Sequence, residues 1–195
     1  MAKIFLFFII LAIVLICLQA NESFDIISQT GTDNKTYYVQ DYQNNKDAAD
    51  VLSKLANDSI KLINYLSNKY PEKDNVSRLK EKFNPANIRE AVHEKDSTSY
   101  TINKGEMMHL CLRNKDENKT LHEHNLLMFV IIHELAHIAS KSIGHNKEFY
   151  DNFKFLLSEA ALMNIYHPVN FGNNPEEYCG INVTNNPYFE KFINL

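Results

Sequence analysis

NKTLHEHNLLMFVIIHELAHIASKSIGHNKEF, residues 118–149, carries the pattern from which the rest of the chain is read. At its centre His133 and His137 flank Glu134, Leu135 and Ala136. In a helix, residues i and i+4 lie almost one above the other, so the two imidazoles leave the same face. Two neutral imidazoles at that separation can hold one Zn²⁺ in two of its four tetrahedral positions. Glu134 stands one step round the helix, beside such an ion rather than on it. A carboxylate there can accept a proton from a water that the metal has acidified. The flanks predict a helix. Thr120 with Glu123 fits a capping box, and Leu126 through Ile132 are apolar almost all round, as in a buried helix. A glutamate and two histidines inside such a helix need partners, because an unpaired polar group costs on the order of 2–7 kcal/mol there. His122 and His124, by contrast, read as surface histidines.

Two histidines leave a zinc site one protein ligand short. His145 is the first candidate, because Gly144 lets the chain turn sharply and bring it back to the metal. Glu159, on the next helix, is the second and Glu148 the third. The expected metal ligands are thus His133, His137 and His145, with Glu134 as general base. His109, Arg113, His167 and Tyr178 are candidates for stabilising an oxyanion, and nothing in the sequence selects among them.

A chain of 195 residues suffices for one domain with its own core. Twenty basic residues stand against 24 acidic ones, a net charge of −4, with no basic run. Non-specific nucleic-acid binding through a cationic surface is therefore not expected. Residues 4–18, IFLFFIILAIVLICL, follow Lys3 as 15 unbroken apolar residues. They mark residues 1–20 as a signal anchor or signal peptide, the anchor being preferred. Six N-x-[ST] sequons, at Asn21, Asn34, Asn57, Asn75, Asn118 and Asn182, point the same way. The expectation is a membrane-anchored or secreted protein, its domain outside the cytosol, touching the membrane through residues 4–20. Cys111 and Cys179 can pair if the domain is exported; two buried free thiols are the preferred reading.

Residues 21–46 read as a polar linker with a short strand at 36–39, and residues 47–195 as the domain. Helical spacing predicts a helix over 47–70, and a second over 74–83 that Asn84-Pro85 halts. Alternation then predicts three strands within 87–113 forming an antiparallel sheet. The last of them, 106–113, is a candidate edge for pairing with an extended peptide. Asn146 is placed to cap a helix over 147–164, and the final 30 residues read as irregular structure. The class is α+β.

Residues 133–149, HELAHIASKSIGHNKEF, resemble the HExxH…H…F segment of WLM and SprT-like metallopeptidases. The similarity runs over roughly 47–187 and is closer to short WLM-type metallopeptidases of large DNA viruses. Lys104-Gly105-Glu106, Leu110-Cys111-Leu112-Arg113, the segment 153–157 and Tyr178-Cys179-Gly180 carry it in this order. The resemblance implies a minimal zincin: a small antiparallel sheet, helices on one side, the HExxH helix beneath the cleft. It implies Zn²⁺ on His133, His137 and His145, a catalytic Glu134, a protein or peptide substrate, and a virion or host membrane as the setting. The step from His137 to His145 exceeds the metzincin spacing, so a methionine turn is not implied. Two other classes compete. One is a repair protease acting on DNA-bound protein, which the acidic balance and apolar N-terminus oppose. The other is a membrane-anchored structural or interaction protein with a non-catalytic zinc site, which an uncoordinated Glu134 beside the metal opposes.

Overall fold

The computed structural model describes residues 26–92 and 98–190. A hairpin opens the fold: β1 (Ile26–Thr30) pairs antiparallel with β2 (Thr36–Gln40), Ile26 opposite Gln40. Tyr37 and Val39 alternate inward and are buried. Residues 26–40 of the stretch read as a linker are therefore packed on the domain, while 21–25 lie outside the described residues. Helix α1 (Asn45–Lys69) lies against the hairpin and buries Leu52, Leu55, Leu62 and Leu66. Helix α2 (Asp74–Lys82) stops before Asn84-Pro85, because the proline ring bars the helical region to the residue before it. A 3₁₀ turn, Pro85–Asn87, leads into the strands β3 (Ile88–Glu90), β4 (Tyr100–Ile102) and β5 (Met107–Leu110).

The three strands lie in the order β3-β5-β4. β4 and β5 are antiparallel, with Tyr100 opposite His109, as expected; β3 and β5 are parallel, with Ile88 opposite Met108. The cause is topological. β5 inserts between two strands that run in opposite directions, so it must be parallel to one of them. This makes β3 and β4 the outer strands and places 107–110 in the centre, correcting the expected edge role of 106–113. Ile88, Met108 and Leu110 turn one face of the sheet into the core shared by all the helices.

Helix α3 (His124–Ala139) begins later than the capping box predicts. The His122 amide donates to the Leu112 carbonyl at 2.9 Å, and Arg113 bridges Leu121, so residues 120–122 stay extended against the chain leaving β5. Thr120 bonds Asp116 and Asn114 instead of a helix amide. Helix α4 (Lys147–Leu162) starts as the sequence predicts, the Asn146 side chain accepting from the Phe149 amide at 3.2 Å. A hairpin of β6 (Glu176–Tyr178) and β7 (Ile181–Val183) then appears where irregular chain was expected, followed by a 3₁₀ turn, Pro187–Phe189. A disulfide between Cys111 and Cys179 ties this hairpin to the end of β5, which replaces the free-thiol reading. The architecture is α+β.

The expected membrane location is corrected. Among the described residues no helix is long and apolar enough to cross a membrane, and the 4–18 run that suggested one lies outside them. Two of the sequons, at Asn57 and Asn75, are half-buried within α1 and α2 rather than on loops.

Candidate active site

From Leu126 to Ser140 every residue is buried except His133 and His137. A helix wrapped by apolar neighbours thus opens at one point only, and the opening is the i, i+4 histidine pair. The loop 140–146 returns His145 to the same point, turning through Gly144, whose φ of +81° is a left-handed conformation suited to glycine. The three Nε2 atoms approach to 3.2 Å (His133–His137), 3.1 Å (His137–His145) and 3.0 Å (His133–His145). Ligands at about 2.0 Å from a tetrahedral Zn²⁺ stand about 3.3 Å apart, so the triangle has the dimensions of one face of a zinc site. Phe149, fully buried, packs beneath all three rings, its centroid 4.8, 4.3 and 4.7 Å from those of His133, His137 and His145.

Electrostatics favour the ligand form of the rings. Burial, with His137 and His145 nearby, pushes His133 down to about 3. Burial, with His145 and Lys104, pushes His137 down to about 4. Both are neutral at neutral pH and hold free lone pairs. Among the described residues these three histidines form a group that can hold a metal ion.

Glu134 is 4% exposed and faces the edge strand. Its Oε2 accepts from the Thr101 hydroxyl at 2.7 Å, and burial pushes its carboxyl up to about 7. A bound divalent cation would draw that value down again. Spacing alone does not mark Thr101 as a partner of Glu134, although the alternation Ser99, Thr101 against Tyr100, Ile102 puts two hydroxyls on one side of the chain at β4.

The other candidates lie elsewhere. Glu159 is held by Tyr70 Oη at 2.6 Å and Lys69 Nζ at 2.9 Å, away from the histidines. Glu148 binds the backbone of the loop, not the histidine cluster. Arg113 is wholly buried in an ion pair with Glu90, 2.7 Å, and His109 stacks on Tyr100. Of the four oxyanion candidates Tyr178 alone lines the cleft; its hydroxyl donates to the Cys111 carbonyl at 2.9 Å and meets Ser99 Oγ.

The cleft over the histidines measures about 1040 Å³. It is lined by Tyr100 and Thr101 of β4, by residues 142–145 of the loop, by Ile181 and Val183 of the C-terminal hairpin, and by Pro187 of the 3₁₀ turn after it.

The family model of the WLM domain matches residues 32–189. An uncharacterized protein of Acanthamoeba polyphaga mimivirus is 33% identical over 152 residues, 76% of this chain and 77% of its own. Uncharacterized proteins of Invertebrate iridescent virus 3 and Invertebrate iridescent virus 6 are 41% and 36% identical over 73 and 69 residues. These shorter matches cover 37% and 35% of this chain, and 45% and 38% of the relatives. No solved structure matches the chain.

Proposed function

The chain belongs to the WLM domain family, a metallopeptidase-like family, and from that premise we propose that it is a zinc-dependent peptidase. His133, His137 and His145 hold the ion and Glu134 is the general base. One observation carries the reading: from Leu126 to its end, helix α3 is sealed except at His133 and His137, and a third imidazole closes the triangle at 3.0–3.2 Å. Zn²⁺ so bound supplies a Lewis acid that polarises the scissile carbonyl and acidifies water.

The residues do the rest. Thr101 fixes Oε2 of Glu134, which leaves the other oxygen for the attacking water. Glu134 takes the water's proton and passes it to the departing amine. The peptide lies along β4, which among the described residues pairs only with β5 and so has a free edge for an added strand. A bulky apolar side chain of the substrate fits against Phe129, Phe153, Ile181 and Val183, which line the cleft near His133. The alternative, a structural or interaction protein with a non-catalytic zinc site, has no use for a cleft of this size beside the ligands, nor for a carboxylate oriented towards it.

Glu134→Gln tests the proposal. The variant is expected to bind zinc like the wild type, by metal analysis, and to lose hydrolysis of a mixed peptide library. Wild-type protein purified without stoichiometric zinc, or a variant that still cleaves, overturns it.

A further inference from the structure

The loop that returns His145 has no helix or strand of its own, yet its backbone is held from both sides. A helix end leaves carbonyls without partners and favours a cation there. Lys104 Nζ donates to three consecutive carbonyls, Ser140 at 2.7 Å, Lys141 at 2.5 Å and Ser142 at 2.8 Å. That uses all three ammonium protons. Glu148 takes the amides of the same segment: Oε1 accepts from Lys141 N at 2.8 Å, and Oε2 from Ser142 N at 3.0 Å and Ser142 Oγ at 2.6 Å. Four residues further on, Asn146 is locked as the cap of α4. His145 is thus suspended between two fixed points.

Lys104 reaches the loop from the β4–β5 turn, in a backbone conformation that the chain adopts at a cost. Asn103, Lys104 and Gly105 are all left-handed, with φ of 45°, 53° and 113°. Asparagine tolerates this region and glycine is free in it, but a lysine there is strained. A Cβ on Gly105 would stand 2.7 Å from the Lys82 carbonyl, so the turn keeps this shape only with glycine. Strain retained at one side chain is a sign of a task, and here the side chain ends on the carbonyls of the His145 loop.

We infer that Lys104 and Glu148 are positioning residues that act through His145: together they clamp residues 140–142 and so fix the third ligand before the metal arrives. The inference rests on the three histidines being the zinc ligands. Preorganisation of this kind contributes affinity, because the loop need not be ordered when the ion binds. The clamp also joins the free edge of the sheet to the metal site through one turn.

The test uses the full chain, titrated with Zn²⁺ against a chromophoric chelator, and with Co²⁺ to read coordination from its visible spectrum. Lys104→Met and Glu148→Gln are each expected to weaken Zn²⁺ binding about 10- to 100-fold, the range for residues that orient metal ligands. Their Co²⁺ spectra are expected to move towards that of His145→Ala. The decisive arm is a double-mutant cycle. Lys104→Met on top of His145→Ala is expected to cost nothing further, since the residue it positions is gone. Should Lys104→Met fail to fold, the half-exposed Glu148→Gln carries the same cycle. Wild-type affinity in the variants that fold overturns the inference, and so do losses that add fully to that of His145→Ala, which would mark a general effect on folding. If His145→Ala itself leaves affinity unchanged, the ligand assignment fails first and the clamp falls with it.

Discussion

Glu148 shows how a residue's charge can serve geometry rather than chemistry. The Ser142 hydroxyl, then the amides of Lys141 and Ser142, hold its carboxyl down to about 2, against an ordinary value of 4.5. Arg78, 3.7 Å away, and Lys104 add attraction. A depressed folded-state value means that the ionised group contributes stability above about pH 4.5 and that the contribution is lost as pH falls towards 2. The expected outcome, in zinc-free protein, is a melting-temperature gap between wild type and Glu148→Gln that is full at pH 6 and closes across that window. The gap is small, because Glu148 is screened by solvent. At this scale the sequence disclosed part of the site. His133 and His137 were legible from spacing, and His145 from its neighbour Gly144. Thr101 and Lys104 were not, since each meets its partner across more than 30 residues, at Glu134 and at Ser140 to Ser142. Spacing reports neighbours along an element; it carries nothing about a hydroxyl arriving from another strand.

Among the elements, helices were far easier to read than strands. α2 and α4 end and begin where Pro85 and Asn146 dictate, because those signals act within a few residues. The start of α3 departs from the capping box because tertiary pairing of 121–122 with 112–113 overrides a good local cap. The parallel β3–β5 pair left no trace in alternation, which gives faces but not directions. The β6–β7 hairpin owes its place to a covalent bond, and the bond predicts its own measurement. A link closing a loop of 68 residues is worth about 4 kcal/mol in the chain-entropy account. Replacing Cys111 and Cys179 together by alanine is expected to lower the thermal midpoint by roughly 10 °C. It is also expected to speed proteolysis first within 176–189, as cleavage mapping would report.

At the scale of the whole molecule, one buried ion pair fastens three pieces that are distant in sequence. Glu90 at the end of β3 meets Arg113 beyond β5, both side chains wholly buried, while the Gln40 amide at the end of β2 donates to Glu90 Oε2 at 2.8 Å. Burial raises the Glu90 carboxyl above its ordinary value, against the pull of Arg113. Removing one partner strands the other, a loss of about 3–5 kcal/mol. Arg113→Met is therefore expected to lower the midpoint of urea unfolding sharply. Exchanging Glu90 and Arg113 together for apolar residues is expected to recover much of it. The same long-range assembly explains why β1 and the packing of β2 are not legible in the sequence: the spacing at 36–39 suggests a strand, but its burial depends on contacts with α1 and β3. The wall of the cleft at Ile181 and Val183 belongs neither to α3, which carries His133 and His137, nor to the loop that carries His145. Substitution at those two positions reshapes the room over the histidines without altering the helix or the loop that holds them.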